Sequence, residues 1–176
     1  RNVESQEFEL QPDVDPRFQF HNWGFNFRPT EVQASFGLVQ LGKLESFNKL
    51  RREISDEIFS FLYAYKFFQP IEVHPKADAS WLGIPIILNE DSPFSRKEFA
   101  DYLEGSGIET RPILTGNLLR QPVSRKFFPE ISPQEFPGAE YIHNQGVYIG
   151  LSPISSRNTI EKLKRTIGTF LEDYIK

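Results

Sequence analysis

Between Pro29 and Pro70 the sequence carries one long helical stripe, and few architectures accommodate it. Thr30-Glu31-Val32-Gln33 forms a capping box: Thr30 accepts from the first backbone N–H groups while Gln33 reaches back. Pro29, just before it, discourages an earlier helical start. Apolar residues then recur at Val32, Phe36, Val39, Leu44, Phe47, Leu50, Ile54, Ile58 and Phe61. Their steps of three or four, with one of five, set them on one side of a helix. The spacing predicts a helix from about Thr30 to Tyr65, on the order of 50 Å long at 1.5 Å per residue. That is longer than a compact domain needs and suits a helix bridging two domains.

The rest of the chain alternates. The apolar run Trp81 to Leu88 reads as a strand, in which Pro85 points to an edge position or a bulge. Ser95-Arg96-Lys97-Glu98 is a second capping box and opens a helix that ends at Gly105 and Gly107, with Phe99, Tyr102 and Leu103 inward. Ile108 to Leu114 reads as a second strand, Gly116 to Pro129 as a basic loop, and Phe136 to Asn144 as a short helix. Val147 to Leu151 reads as a third strand. The last helix starts near Ser156 and lines up Ile160, Leu163, Ile167, Phe170 and Tyr174. The expected fold is α/β of the two-layer α+β type: a small, mainly antiparallel sheet covered by helices and preceded by the long bridging helix.

Composition narrows the function classes. With 39% hydrophobic and 14% aromatic residues in 176, the chain has material for a core. A net charge of −4 argues against bulk attraction to nucleic acid or anionic membranes. No apolar run is long enough to span a bilayer, and no signal-peptide pattern opens the chain. The absence of cysteine excludes disulfides and Cys-based zinc sites and is consistent with a cytoplasmic location. The chain starts at Arg1, contains no Met, and carries five acids against one base over Arg1 to Asp15. Residues 1–28 are therefore expected to be an extended lead-in from a missing upstream domain, and 29–176 the domain itself.

Two segments carry candidate chemistry. Thr110 to Pro129 holds Arg111, Arg120, Arg125 and Lys126 and no acid, a local positive patch in an acidic chain. Arginine forks suit phosphate oxygens, and the same residues fit a solvated loop with scattered charge. His21 to Arg28 places aromatics, two Asn, a glycine and an arginine just before a helix start, where anions bind readily; a turn with a hydrophobic staple fits as well. His21, His74 and His143 share no metal-ligand spacing, and no metal site is expected. Glu104-Gly105-Ser106-Gly107 leaves a helix for a strand, the reverse of a phosphate loop, and reads as a helix cap.

Read together, the two segments resemble a known family. Gly24-Phe25-Asn26-Phe27-Arg28-Pro29-Thr30-Glu31-Val32-Gln33-Ala34-Ser35-Phe36-Gly37, then Gln40-Leu41, is similar to the G-Y-N-[FLY]-[RK]-x-[TS]-[DE]-[ILM]-Q-A-A-x-G…Q-L signature of the DegT/DnrJ/StrS nucleotide-sugar aminotransferases and dehydratases. Phe25 replaces Tyr and Ser35 replaces Ala, and Pro29 falls at a variable position. Ser80 to Ile86 and Gly107 to Pro122 follow in the family's order. The ending Gly116-Asn117-Leu118-Leu119-Arg120-Gln121-Pro122 resembles the hexulose 3-dehydratase branch, and Gln145 to Gly150 resembles that branch's late strand.

The resemblance implies the C-terminal small domain of a fold-type-I enzyme that uses pyridoxal phosphate or pyridoxamine phosphate. It implies that the catalytic lysine, or the histidine that replaces it in 3-dehydratases, belongs to the missing N-terminal large domain. No catalytic residue is assigned in this chain, and the fragment alone is expected to be inactive and free of cofactor. Asn26 is implied as the cofactor-phosphate contact across a homodimer interface. Arg28, Arg111, Gly116, Asn117 and Arg120 are implied on the nucleotide-sugar side. There Gly116 would let backbone approach a ligand, Asn117 would meet sugar hydroxyls and Arg120 the nucleotide phosphates. The implied reaction is 3-dehydration of an NDP-4-keto-6-deoxyhexose in deoxysugar or lipopolysaccharide sugar synthesis. A nucleotide-sugar aminotransferase is the nearest alternative, and a non-catalytic assembly or regulatory module is the alternative of another class.

Overall fold

The capping box at Thr30 is present in the computed structural model, which describes residues 12–175. Of the expected lead-in, residues 1–11 lie outside the described residues. In chain order the elements are α1 (Glu31–Leu41), α2 (Leu44–Leu62), β1 (Phe68–Gln69), β2 (Gly83–Leu88), α3 (Arg96–Gly105), β3 (Thr110–Arg111), α4 (Pro122–Phe127), α5 (Pro137–Gln145), β4 (Gly146–Gly150) and α6 (Arg157–Glu172). Short 3-10 turns lie at Pro16–Phe18, Leu118–Arg120 and Pro133–Glu135. No helix among the described residues is long and apolar enough to cross a membrane.

The expected single helix from 30 to 65 is two helices. The break falls at Gly42 and Lys43, where the Lys43 N–H donates to the Gln40 carbonyl at 2.9 Å in a tightened turn. Glycine is a poor helix former. The five-residue step from Val39 to Leu44 in the apolar stripe falls at the same place. The two halves also differ in burial. α2 buries Ile54, Ser55, Ile58 and Leu62, whereas α1 buries nothing, and Val32, Phe36, Leu38, Val39 and Leu41 are all more than 60% exposed.

The described residues divide into two compact units, 26–111 with 145–175, and 12–25 with 112–144. The first holds the sheet, ordered β1-β2-β4-β3 and antiparallel throughout, as expected. β1 was not legible in the sequence, being only two residues long and bound through Phe68 to Leu88 and Gln69 to Ile87. β3 is also shorter than the expected strand 108–114. Pro85 does not occupy an edge strand, yet β1 reaches only Ile87 and Leu88, so no β1 residue pairs opposite the proline. That arrangement suits a residue with no N–H to donate.

Side chains alternate along a strand. Ile84, Ile86 and Leu88 of β2 and Val147 and Ile149 of β4 thus enter one core with Ile58 and Leu62 of α2, Phe99 and Leu103 of α3, and Ile167 and Leu171 of α6. Phe94 is the hub of the aromatic part, with ring centroids 4.9 Å from Phe170, 4.9 Å from Tyr174 and 5.5 Å from Phe67. Ser95 caps α3 and Ser156 caps α6, both as read from sequence. Phe99 is fully buried in this cluster. Phe99→Ala is expected to lower the unfolding free energy by about 3–5 kcal/mol. In urea titration this should appear as a lower midpoint at unchanged slope.

Candidate functional site

The sheet-bearing unit carries Asn26, Arg28 and Arg111. Asn26 takes a left-handed backbone, φ 47°, which asparagine tolerates better than most residues. It stands before Phe27 and Arg28, and all three are exposed. Thr30 then closes the approach to α1, its N–H donating to Gln33 Oε1 at 2.7 Å. Two polar side chains with N–H donors therefore flank a phenylalanine immediately ahead of a capped helix.

Arg111 lies on β3 in register with Tyr148. Its Nε and Nη2 donate to Glu109 Oε1 at 2.9 and 2.8 Å, so the expected acid-free patch has a carboxylate just outside its first residue. Burial pushes the Tyr148 phenol above its usual range, and the guanidiniums of Arg111 and Arg51 oppose that shift. Gly83 makes room for this ring: a Cβ there would sit 2.4 Å from Tyr148 Cζ. A cavity of about 470 Å³ opens beside these groups, with Ile108 and Leu163 among its apolar walls and Glu109, Arg111, Tyr148 and Lys162 among its polar ones.

The other unit carries Gly116, Asn117 and Arg120. The stretch read as a loop is a 3-10 turn, Leu118–Arg120, followed by α4, which Pro122 opens without needing an N–H. Asn117 is 2% exposed. Its amide donates to Glu140 Oε1 at 2.6 Å and the Pro133 carbonyl at 3.1 Å, and its Oδ1 accepts from the Leu119 N–H at 3.0 Å. Both ends of the amide are engaged inside the unit. Gly116 has φ 67°, and the group that comes close to it is His143, whose Nδ1 would lie 2.2 Å from a Cβ.

Arg120 is mostly buried. Its Nε and Nη2 grip Glu140 in a two-point pair, the first at 2.8 Å, and its Nη1 donates to Asp13 Oδ2. Hydrogen bonds donated to Glu140 first, and to Asp13, outweigh desolvation and hold the guanidinium still more firmly protonated than usual. The Arg120 hydrogen bond in turn keeps the Glu140 carboxyl below its ordinary range, with Asn117 adding to it against burial. For Asp13 burial opposes ionisation, but the Arg120 hydrogen bond, a backbone hydrogen bond and the charges of Arg120 and Arg125 prevail and hold it low. Asp13 and Glu140 were not singled out from sequence, Gln121 stood there only within a signature, and His143 was weighed only as a metal ligand. Only their long-range pairing marks them, and no periodicity signals a contact between residues 13, 120 and 140.

A family model described as the DegT/DnrJ/EryC1/StrS aminotransferase family matches residues 6–167. The chain is 36% identical over 156 residues to GDP-4-keto-6-deoxy-D-mannose 3-dehydratase of Yersinia pseudotuberculosis, covering 87% of this chain and 39% of that protein. It is 32% identical over 167 residues to lipopolysaccharide biosynthesis protein RfbH of Salmonella typhimurium, covering 93% and 37%. Among solved structures it is similar to E coli GDP-4-keto-6-deoxy-D-mannose-3-dehydratase with bound hydrated PLP, with a TM-score of 0.67, 31% identity, and 85% of this chain and 38% of that one covered. Relatives named as a transaminase and a perosamine synthase match at 26% and 25% identity. The chain thus spans under two fifths of the length of the first two relatives.

Asp13 and Glu140 both have lowered folded-state values, so what they add to stability is present above the unfolded carboxylate range, about 4, and is lost as pH falls through the folded values. Melting temperature is therefore expected to hold from pH 7 to 5 and to drop below about pH 4. Arg120→Met removes the cation that Asp13 and Glu140 share, leaving Asp13 with Arg125 at 3.8 Å and Glu140 with the Asn117 amide, and should cost about 2–3 kcal/mol at pH 7. The same variant should flatten the acid limb, because its carboxylates gain less from ionising. An acid limb in the variant as steep as in the wild type would refute the assignment.

Proposed function

The chain belongs to the DegT/DnrJ/EryC1/StrS aminotransferase family, and on that premise we propose that it is the C-terminal part of a 3-dehydratase acting on an NDP-4-keto-6-deoxyhexose. What supports the reading is the ranking of relatives: 36% identity to a named 3-dehydratase against 26% to a named transaminase, over similar spans. The ordered segment Gly116-Asn117…Arg120-Gln121-Pro122 points the same way. The match to RfbH supports a place in lipopolysaccharide sugar synthesis.

The cofactor of this reading is pyridoxal phosphate or its amine form. The donors on this chain suit its phosphate: Asn26 offers an amide N–H and Arg28 a guanidinium, both exposed. Asn26 would hold the phosphate, with Arg28 beside it or toward substrate. When bound, the amine form supplies the electron sink that loss of a 3-hydroxyl requires. Arg111 is an exposed cation suited to an anionic substrate group. Gly116, Asn117 and Arg120 shape the substrate-side turn from within, through Glu140 and His143. The lysine or histidine that moves the proton belongs to the N-terminal part the relatives possess. α1, which buries none of its residues and exposes Val32, Phe36, Leu38, Val39 and Leu41, is the surface that this part and a second copy of the chain would cover.

The test is to incubate the full-length protein containing this chain with a GDP- or dTDP-4-keto-6-deoxyhexose and pyridoxamine phosphate. Loss of the 3-hydroxyl is the expected result; a stable 4-amino sugar with that hydroxyl retained would decide for an aminotransferase. Asn26→Ala should weaken cofactor retention about 10- to 150-fold, the loss of one charge-assisted hydrogen bond, with only a small fall in the melting temperature of this domain from the alanine at a left-handed φ. Equilibrium dialysis against pyridoxal phosphate measures it. Unaltered retention with a lowered melting temperature would make Asn26 a purely structural turn residue.

A further inference from the structure

Two of the three residues from Leu114 to Gly116 have left-handed backbone: Leu114 at φ 53° and Gly116 at φ 67°. Glycine takes that conformation freely, but leucine does so under strain. Leu114 is also 86% exposed, so packing of its own side chain does not hold it there. A strained, exposed turn persists only when its surroundings over-determine it.

Those surroundings are polar and buried. The Gly116 N–H donates to the Ile113 carbonyl at 2.9 Å, closing the turn. Gln121, fully buried, donates from Nε2 to the Thr115 carbonyl at 3.3 Å and accepts the Phe20 N–H at 3.0 Å. His143, on α5, takes the remaining position. Its Nδ1 accepts the Asn117 N–H at 3.2 Å, and its Nε2 lies 2.8 Å from the Asp13 carbonyl oxygen. A carbonyl can only accept and an amide N–H can only donate, so these two partners select one tautomer: Nε2 carries the proton and Nδ1 is bare. The Gly116 backbone presses against the bare side of the ring, where a Cβ would touch Nδ1, Cγ and Cε1.

We propose that His143 is a positioning residue whose neutral, Nε2-protonated ring pins the Leu114–Asn117 turn, and that a second proton on the ring releases it. A proton on Nδ1 would face the Asn117 N–H, donor against donor. Among the described residues, the charged groups around this pin include Asp13 from the N-terminal segment, Arg120 from the 3-10 turn, Glu140 one turn earlier on α5, and Arg125 of α4, which lies 3.8 Å from Asp13. Asp13 and Glu140 remain ionised while an imidazole titrates, since both carboxyls are held low. The pH step therefore belongs to the ring and not to the ion pairs. The consequence for turnover rests on the substrate-side reading of this segment; the pin itself does not.

Nitrogen-detected NMR of the labelled chain at neutral pH is expected to show His143 protonated on Nε2 alone. As pH falls and the ring charges, the protection of the Asn117 amide against exchange should drop about tenfold or more, corrected for intrinsic rate. His143→Leu should remove that protection at every pH. His143→Asn, whose Oδ1 can take the place of Nδ1, should keep the protection and lose the pH step. A proton on Nδ1, an unchanged Asn117 amide in His143→Leu, or a pH step that survives in His143→Asn would each overturn the pin. Should His143→Leu fail to fold, the wild-type tautomer and the His143→Asn comparison still decide. In the full-length protein His143→Leu is expected to raise KM for the nucleotide sugar about tenfold with a smaller change in kcat, and His143→Asn to restore it. A loosened turn with unchanged KM would leave the pin standing and overturn the substrate-side reading of residues 111–120.

Discussion

The interior formed by residues 112–144 is held by polar groups that pair with one another, the buried Ser124 hydroxyl excepted. Asn117, Gln121, Ser124 and His143 are buried there, beside Val14 and Val123. An unpaired polar group inside a protein is costly, while a satisfied network specifies one arrangement. Arg120 joins Asp13 to Glu140, and Glu140 also accepts from Asn117. Where an apolar core tolerates a shifted methyl group, Asn117, Arg120, Gln121 and His143 tolerate few substitutions, because each of them satisfies at least one other polar group.

The sheet-bearing unit is built the opposite way. Its aromatic and aliphatic core, centred on Phe94, Phe99 and Phe170, stabilises by area removed from water, which is non-directional. Such a core positions the sheet and leaves the edge strand β3 to present Arg111. The two kinds of interior suit two tasks: one supplies stability, the other fixes the geometry of a turn. The left-handed Leu114 belongs with the second, since only a directional network holds a backbone away from its preferred region.

α1, within the sheet-bearing unit, is built differently again. It carries Val32, Phe36 and Val39 on one side and Leu38 and Leu41 on another, between polar Glu31, Gln33, Ser35 and Gln40, and its apolar residues are exposed. The first two relatives extend well beyond the span this chain matches, which supports a cover for α1 from the rest of such a protein. The five-residue step in the apolar pattern and the break at Gly42 mark where the exposed part of the stripe gives way to the buried part on α2.

Much of the fold was legible from local signals. Thr30, Ser95 and Ser156 cap the helices where the pattern put them, because a cap is a contact between residues three apart. The family was likewise readable, since its motifs are runs of neighbouring residues. The antiparallel sheet was expected from an edge position for Pro85, and the sheet is antiparallel although Pro85 lies on an inner strand. What escaped depended on distance along the chain. β1 exists only because β2 is there to pair with it, and the basic stretch after Thr110 loses its positive character only when Asp13 and Glu140 arrive from elsewhere. Gly116 and Asn117 stood out in the sequence as ligand contacts. The tertiary structure turned them toward His143 and Glu140, because a hydrogen bond is decided by which groups meet in space, and sequence order alone does not say which those are.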